Sequence, residues 1–383
     1  MAEVTLVNPP LDEACRRLMP VPGIPIGLCQ LAASLRLRGH KVALVDCQAL
    51  DLDPQAGVEQ ILSLGSRYVG FTGNSLNIDS AAQMAGMCQA KGLKTILGGV
   101  HVTAKPTETM FNYPQFDLAL MGEGDVRLPD LIEALERGKP IASVPGAVYR
   151  DNGNINEIPR GAFVRDLDEL PLPAWDLLPD FAQYYQPPAR WEIPRPSAIL
   201  VTSRGCPLPC VFCNKSVFGR QRRFHSPRHI INMIRHLISE HGIKHIAFED
   251  DTLVINKHHV EQLCRGLSES KLGITWSCRV KSDLLHPDLP AFMKRAGCCQ
   301  VTMTHLSGSQ RILDALNTKM TVEDIEEALG LLQKSGIKVL GQFVVGGFEE
   351  SEETMRESAS LIQQVPFDDV DIQFFNPLPG CEA

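Results

Sequence analysis

The chain has 383 residues, 44% of them hydrophobic and 21% charged, which is typical of a globular protein of about two or three domains. Its formal net charge of -8 excludes a global basic field for nucleic acid, and its 12 scattered cysteines exclude a disulfide scaffold. The sequence shows neither an apolar run of about 18 residues nor a signal-like N-terminus, so we expect a cytoplasmic protein without a membrane partner.

Up to residue 140 the sequence alternates short apolar runs with longer amphipathic runs. This is the pattern of β-α-β units, which build a parallel sheet with helices on both faces. Ligands of such sheets bind at the carboxyl ends of the strands. The predicted strands are residues 4–7, 41–45, 68–71, 94–97 and 118–121, and the predicted helices are residues 26–38, 58–64, 79–91, a short segment after Pro106, and 125–136.

Glycines and polar residues follow four of these strands. Glycines allow a backbone to approach a large flat ligand, and polar side chains can bond its edge. A single glycine after a strand is more often a tight turn, so only the ordered set points to a ligand. The candidate residues are Asn8, Pro9, Thr72, Asn74, Ser75, Leu76, Gly98, Gly99, His101, Gly122, Glu123 and Gly124.

The runs N-P-P, G-G-x-H and G-E-G resemble the cobalamin-binding domain found ahead of many radical S-adenosylmethionine (SAM) domains. The resemblance implies a five-stranded Rossmann-like sheet, with cobalamin across the strand ends and its corrin facing a second domain. The D-x-H-x-x-G motif, whose histidine ligates cobalt in the mutases, is absent. We therefore expect no protein histidine on cobalt, with His101 orienting a loop or bonding the corrin periphery and Leu76 nearest the cobalt.

Residues 141–194 predict a connector between two domains. Asn152-Gly153-Asn154 is a hairpin signal within residues 145–158. The proline-rich segments 170–179 and 184–188 then favour an extended strap, because proline at this density prevents regular structure. Trp175 is expected to pack the strap onto the domains, with a role in lining a cofactor cleft as the alternative.

From residue 195 to 383, strands and helices alternate again. Ser226-Pro227 indicates a helix N-cap, and Thr321 with Asp324 a capping box. The basic run 220–228 is expected to be a solvated loop, with contact to phosphate or a nucleotide tail as the alternative. Strands are predicted at residues 198–202, 245–248, 274–278, 300–304, 338–345 and 370–375, and helices at 227–240, 257–267, 289–295, 309–316, 322–334 and 352–364.

A loop directly after the first of these strands places Cys206, Cys210 and Cys213 in C-x3-C-x2-C spacing. Three thiolates on one irregular loop can hold three irons of a 4Fe–4S cluster and leave the fourth iron open to a substrate. A zinc ribbon is the alternative, but it needs a second ligand pair, and no other C-x2-C pair occurs in the sequence. The spacing therefore predicts an open iron–sulfur cluster.

This spacing resembles the signature of the radical SAM enzymes, in which SAM chelates the open iron and is cleaved to a 5′-deoxyadenosyl radical. The resemblance implies a partial (β/α)6 barrel over residues 195–383 and a SAM contact at Phe212, the family's aromatic position. Further SAM-binding candidates at strand ends are Glu249, Asp250, Arg279 and Gln342. For the acidic residues 249–251, a cluster that caps a helix is an equal alternative to SAM binding. For Arg279, the alternative is a structural ion pair.

The sequence departs from the family pattern near the fourth and fifth barrel strands. Leu306 stands where relatives that use cobalamin usually carry glutamate, and His305 is the substitute or else caps the strand. The run Gly346-Gly347-Phe348-Glu349 lacks the usual G-x-P-G-E. The chain stops soon after the sixth strand, so we expect a form without the usual C-terminal extension.

The resemblance implies a cobalamin-dependent radical SAM enzyme, expected to move methyl from methylcobalamin to an unactivated carbon or phosphinate after hydrogen abstraction. Its cofactors would be a 4Fe–4S cluster, SAM and cobalamin, its substrate a small molecule or peptide, and its electron donor flavodoxin or ferredoxin. Alternatives are another radical rearrangement, cyclisation or oxidation, a methylthiotransferase-like enzyme with a second cluster on Cys15, Cys47 and Cys88, and a non-catalytic cobalamin carrier or sensor.

Overall fold

A computed structural model describes residues 1–12, 15–16, 22–185 and 193–382 of the chain. These residues form two compact units: Met1–Arg190 with Asn214–Phe218, and Trp191–Cys213 with Gly219–Ala383. Residues 186–188 of the predicted strap, and Ala383 at the predicted end of the second domain, lie outside the described residues. No described helix is both long and apolar enough to cross a membrane.

The first unit is built on one mixed sheet. Among its described residues the strands are β1 (Glu3–Asn8), β2 (Lys41–Asp46), β3 (Tyr68–Thr72), β4 (Lys94–Gly98), β5 (Leu118–Leu120), β6 (Ala147–Asp151) and β7 (Asn154–Glu157). Their order is β2-β1-β3-β4-β5-β6-β7. The first five are parallel, as predicted, whereas β6 and β7 are antiparallel and extend the sheet beyond the five expected strands.

Helices cover both faces of this sheet. Leu6 packs in one buried cluster with Leu35, and its neighbour Val7 packs in another with Met84. Successive residues of a strand point to opposite faces, so two clusters are what a sheet buried on both sides requires. The described helices of this unit are α1 (Ile26–Leu37), α2 (Pro54–Ser63), α3 (Ile78–Gln89), α4 (Val100–Ala104), α5 (Pro106–Asn112), α6 (Gly124–Glu136) and α7 (Phe181–Tyr184).

The predicted connector, residues 141–194, groups largely with the first unit. Its hairpin is β6–β7, and its proline-rich part is tied to α1. The Ala174 N–H donates to the Cys29 carbonyl at 3.0 Å, and Gln30 Nε2 donates to the Pro171 carbonyl at 2.9 Å. Trp175 is fully buried, so it packs this segment onto the unit, as expected.

The second unit is an open parallel sheet in which the six described strands lie side by side in chain order. Every neighbouring pair is parallel, so the predicted partial (β/α)6 barrel is confirmed. The strands of that sheet, among the described residues, are β8 (Ser197–Leu200), β11 (His245–Phe248), β12 (Thr275–Val280), β13 (Cys298–Leu306), β14 (Lys338–Val345) and β15 (Asp369–Phe374).

The described helices of the second unit begin within one residue of the predicted positions. Ser226 Oγ accepts from the His229 N–H, and the Thr321–Asp324 capping box has both of its hydrogen bonds. Each satisfies backbone donors that a helix start leaves open. These helices are α8 (Pro227–His241), α9 (Lys257–Ser270), α10 (Leu289–Arg295), α11 (Gln310–Ala315), α12 (Val322–Lys334) and α13 (Glu352–Gln364).

A short antiparallel ribbon of β9 (Ser203–Arg204) and β10 (Arg223–Phe224) was not predicted. Two-residue strands carry no measurable periodicity, so no sequence pattern indicates them. The ribbon lies between β8 and α8 in the chain and closes the segment that contains the three cysteines.

Candidate functional site

The cysteine loop of the second unit is held in place by backbone and side-chain hydrogen bonds. Cys206 and Cys210 are buried and Cys213 is partly buried. The Cys206 N–H donates to the Gly219 carbonyl at 3.2 Å, and the Val211 N–H donates to Leu316 at 3.3 Å. Asn317 Nδ2 donates to the Pro209 carbonyl at 3.1 Å. These bonds compensate for the absence of regular structure that the prolines impose.

Asp250 anchors the start of this loop. Its carboxylate is 1% exposed and accepts hydrogen bonds from the Thr202 N–H, at 3.1 Å, and from the hydroxyls of Thr202 and Ser203. Burial raises the pKa of Asp250, and the bonds from Ser203 and Thr202 oppose that shift. The geometry favours a structural role for Asp250 over the SAM contact that the sequence predicted.

Glu249 and Arg279 form an ion pair at the ends of β11 and β12. Arg279 Nε lies 2.6 Å from Glu249 Oε2, and both side chains are about one-third exposed. The structural ion pair that was the alternative for Arg279 is therefore present. The Nη groups of Arg279 make no hydrogen bond within the described part of the chain, so the outer edge of its fork stays open to a carboxylate.

The ring of His305 packs on the ring of Phe212, with centroids 4.5 Å apart. His305 has a backbone φ of 61°, a left-handed conformation that is uncommon for residues other than glycine. Burial, with Arg279 and Lys281, lowers the pKa of His305 to about 4, so its ring is neutral near pH 7. Leu306, at the family's glutamate position, is fully buried and cannot replace a polar contact.

Gln342 lies on β14 and is partly buried. Its Nε2 is 3.4 Å from Asp371 Oδ2, a long hydrogen bond. The structure thus brings Phe212 and His305 together, and separately Glu249 and Arg279, all in loops and strand ends of one unit. Gln342 is on the same sheet, but its side chain bonds to Asp371 on β15.

Asn8 and Pro9, at the end of β1 in the first unit, are engaged by neighbouring side chains. Asn8 is 6% exposed, and its Nδ2 donates to Asp46 Oδ1 at 2.8 Å. Gln48 Nε2 donates to Asn8 Oδ1 at 3.1 Å and to the Pro9 carbonyl at 2.9 Å. The Tyr185 hydroxyl donates to Asp46 at 2.6 Å. Asn8 therefore fastens this strand end.

The loops after β3 and β4 interlock. The Gly73 N–H donates to the Gly98 carbonyl at 2.9 Å, and the His101 N–H donates to the Gly73 carbonyl at 3.1 Å. Gly99 has φ 98°, and a Cβ there would lie 2.7 Å from the Gly73 oxygen. A glycine is required at this position by the neighbouring loop. Thr72 Oγ1 also lies close to the position that a Cβ on residue 99 would occupy.

Asn74, Ser75 and Leu76 form the turn that leads from β3 into α3. Asn74 Oδ1 accepts from the Leu76 N–H at 2.8 Å. The side chain of Ser75 is exposed and that of Leu76 is partly exposed, so this turn presents its tip to solvent. The hydrogen bond of Asn74 fixes the backbone of this turn.

The Gly122-Glu123-Gly124 run joins β5 to α6. The Gly122 N–H donates to Thr103 Oγ1 at 3.0 Å, and Glu123 Oε2 accepts from the Val164 N–H at 2.9 Å. A Cβ at Gly124 would lie 2.7 Å from the Leu31 side chain. Glu123 therefore holds the connector, and Gly124 permits close packing of α6 against α1.

Comparisons with known proteins agree with this division of the chain. Residues 200–362 match the Radical SAM superfamily, and residues 19–132 match the B12 binding domain. An uncharacterized methyltransferase of Pyrococcus horikoshii is 30% identical over 381 residues, a match that covers 99% of this chain and 81% of the relative. The chain belongs to the radical SAM superfamily.

Two further similarities concern function and fold. An anaerobic magnesium-protoporphyrin IX monomethyl ester cyclase of Rubrivivax gelatinosus is 27% identical, and the match covers 93% of this chain and 64% of the cyclase. The structure of the radical SAM methyltransferase TsrM from Kitasatospora setae, with cobalamin and a 4Fe–4S cluster bound, has a TM-score of 0.81 at 16% identity, covering 100% of this chain and 74% of TsrM. The predicted architecture, a B12-binding domain followed by a radical SAM domain, is confirmed.

The cysteine loop of this radical SAM chain was predicted to hold an iron–sulfur cluster, with a zinc site as the alternative. Among the described residues, no three cysteine, histidine or acidic ligand atoms in the cysteine loop lie within 4.8 Å of one another. Thiolates on one tetrahedral zinc would be closer, because each Zn–S bond is only about 2.3 Å. The described residues of the loop therefore form no preassembled zinc site, and the 4Fe–4S cluster on Cys206, Cys210 and Cys213 stays a prediction from their spacing in the sequence.

His101 is the histidine nearest to the predicted corrin site in sequence. Its ring meets Tyr113 edge-on with centroids 6.1 Å apart, and its buried Nδ1 has no hydrogen-bond partner among the described residues. Burial lowers the pKa of His101, against the opposing charges of Asp79 and Glu108. The ring is partly buried, and its predicted role, in orienting a loop or bonding the corrin periphery, stays a prediction.

Sequence reasoning missed three residues that shape the sites. Asp46 and Thr103 hold the strand-end loops of the first unit, and Arg222 reaches the cysteine loop of the second. Asp46 follows a predicted strand, which is a usable signal. Thr103 lies within a helix and Arg222 within a basic run expected to be solvated, so neither was marked by its sequence context.

Proposed function

We propose that the protein is a cobalamin-dependent radical SAM methyltransferase acting on an unactivated carbon or a phosphinate. The observation that carries the proposal is the loop with Cys206, Cys210 and Cys213, whose C-x3-C-x2-C spacing suits an open cluster, in a chain that also contains a B12-binding domain. The 30% identical relative is named a methyltransferase. The match covers 81% of that relative and 64% of the cyclase. The activity of either relative is therefore carried over to this chain only as a proposal.

When bound, the cluster supplies the electron that cleaves SAM to a radical, and cobalamin supplies the methyl group. The three cysteines ligate three irons, and Asp250 keeps their loop in register through Thr202 and Ser203. Arg279, oriented by Glu249, offers its open Nη groups to the carboxylate of SAM. Phe212, backed by the neutral ring of His305, borders the adenine.

For cobalamin, the proposal relies on the loops after β1, β3, β4 and β5 of the first unit. Their backbones are fixed by contacts of Asn8, Gly99 and Glu123 within the protein. Preorganised loops lower the entropy lost on binding a large ligand. Ser75 and Leu76, at the exposed turn, are the side chains proposed to meet the corrin, with no histidine on the cobalt.

A second candidate is a radical cyclisation without methyl transfer, which the match to the cyclase favours. The two differ in what happens to SAM. Methylation consumes one SAM for the methyl group and one for the radical, whereas cyclisation needs only the radical. Anaerobic protein with SAM, cobalamin, a reductant and candidate substrate therefore separates them. S-adenosylhomocysteine together with 5′-deoxyadenosine supports methylation, and 5′-deoxyadenosine alone supports cyclisation.

A cobalamin carrier or sensor would behave differently in the same experiment, showing corrinoid absorbance with neither SAM product under any reductant. A methylthiotransferase-like second cluster is disfavoured by the structure, because Cys47 and Cys88 lie in the hydrophobic core of the first unit. Burial raises the pKa of Cys47 to about 12 and that of Cys88 to about 11, so both stay protonated. Protein without any cobalamin binding would contradict the proposal outright.

A further inference from the structure

The guanidinium of Arg222 lies at the entrance of the cysteine loop. Arg222 directly precedes β10, and β10 pairs with β9, which comes just before the first cysteine. Nη2 donates to Ser203 Oγ at 3.0 Å and to the carbonyl oxygen of Thr252. Ser203 in turn donates to the carboxylate of Asp250. The network that anchors the loop therefore also fixes the plane and direction of this guanidinium.

The rest of this guanidinium lacks partners in the protein. Nε and Nη1 of Arg222 are buried from solvent and make no hydrogen bond to any residue that the structure describes. A buried donor left unsatisfied costs about 1–3 kcal/mol, and more when it is charged. The Phe224 ring, 5.3 Å from the guanidinium carbon, stabilises the cation but accepts no conventional hydrogen bond. These donors therefore point to an acceptor other than the residues that the structure describes.

The charges around Arg222 indicate what that acceptor is. Burial lowers the pKa of Arg222, and the negative groups that oppose this shift are Asp250, Cys206 and Asp251. Asp250 already accepts from Thr202 and Ser203, and Asp251 is exposed. Cys206 is buried and lies in the same loop as Ser203, the hydrogen-bond partner of Arg222, and it is one of the three cysteines of that loop.

We propose that Arg222 donates its Nε and Nη1 hydrogens to the iron–sulfur cluster, at the Cys206 sulfur or an adjacent sulfide, and so raises its reduction potential. The inference rests on the proposed function only in requiring a cluster on the three cysteines. Hydrogen bonds to sulfur and nearby charge are among the factors that set the potentials of such clusters. A fixed cation stabilises the reduced cluster, which carries one more negative charge. Arg222 is thus a positioning and tuning residue for electron transfer to SAM.

The direct test is spectroscopic and uses the wild-type protein. Protein labelled with 15N-arginine is reconstituted with iron and sulfide, reduced without SAM, and examined by electron–nuclear double resonance. A 15N coupling to the reduced cluster is expected. The same labelled Arg222→Lys variant, in which no guanidinium remains at this position, is expected to lose that coupling. Absence of the coupling in wild type, with the cluster present, would overturn the proposal.

The second test is potentiometric. Arg222→Gln is expected to bind the same iron as wild type but to have a more negative midpoint potential, with the reduction equilibrium constant at least tenfold lower, which is 59 mV for one electron. Arg220→Gln is the matched control, because Arg220 is an exposed partner of Glu382 two residues away from Arg222 in sequence. It is expected to keep the wild-type potential. Equal potentials in Arg222→Gln and wild type would reduce Arg222 to a structural residue.

The remaining outcomes are also decisive. If wild type binds no cluster, the proposed function itself fails, and iron analysis shows this before any variant is made. If Arg222→Gln does not take up iron, it has no cluster potential to measure. The spectrum of labelled wild-type protein then tests the proposal by itself. If the 15N coupling appears only after SAM is added, the donors of Arg222 serve the carboxylate of SAM, and the proposal of direct bonding to the cluster is wrong.

Discussion

Polar residues at strand ends in this protein first fasten their own loops. Asn8, Glu123 and Asp250 were predicted to contact cofactors, and each uses its side chain on a protein partner. A buried polar group without a partner costs about 1–3 kcal/mol, so loops that carry such residues are under pressure to satisfy them internally. In the structure these three side chains support the loops at the strand ends, and their contact with a cofactor stays a prediction.

His305 combines backbone strain with the ring contact to Phe212. A residue other than glycine at φ 61° costs about 1–3 kcal/mol, and such strain clusters at functional sites. His305→Gly removes both the ring and the strain, whereas His305→Ala removes only the ring. We expect the alanine variant to be less stable than the glycine variant by about 1 kcal/mol in urea denaturation. Both variants should bind SAM more weakly, measured through its effect on the spectrum of the reduced cluster.

Lys271 provides the control for this comparison. It has φ 45° at the exposed C-terminal end of α9, away from the cysteine loop in sequence. Lys271→Ala and Lys271→Gly should differ in stability in the same direction, with no change in SAM binding. If His305→Ala and His305→Gly bound SAM as tightly as wild type, His305 would be a strained residue without a role at the site.

At the scale of elements, the sequence predicted the main strands and helices to within a few residues, because apolar periodicity and helix caps are local signals. The exceptions depend on tertiary contacts. The ribbon of β9 and β10 has only two residues a side, and the strap is fixed to α1 by bonds from Ala174 and Gln30. Nothing in a proline-rich segment indicates which domain it packs on. The same limit applies to Arg222, whose burial depends on distant residues.

The interlocked loops after β3 and β4 allow a matched test with two glycines. Gly99→Ala would place a Cβ 2.7 Å from the Gly73 oxygen at φ 98°, whereas Gly153→Ala at φ 81° meets nothing within 4 Å. Gly153→Ala should cost about 1 kcal/mol of unfolding free energy from backbone strain alone. Gly99→Ala should cost clearly more and also weaken cobalamin binding, measured by corrinoid absorbance. If both substitutions lowered the unfolding free energy by the same amount, the two loops would accommodate the added Cβ at position 99 without a further energetic cost.

At the scale of the whole molecule, the cysteines divide into two groups with different chemistry. Those outside the loop include Cys47, Cys88 and Cys264, which are buried, and burial raises the pKa of each. A buried thiol of high pKa is a small apolar side chain and a poor metal ligand. Three cysteines on one fixed loop are therefore the set expected to hold iron.

Iron stoichiometry turns this division into a prediction for the full chain. Reconstituted protein should contain about four irons, because three cysteines on one loop hold a single 4Fe–4S cluster. Cys213→Ala should lose this iron and the cluster absorbance, since the remaining two thiolates cannot retain the cluster. Cys88→Ala should keep both, because its thiol only fills the core of the first unit. About eight irons, or iron lost from Cys88→Ala, would favour a two-cluster enzyme and contradict the assignment of a single open cluster to this chain.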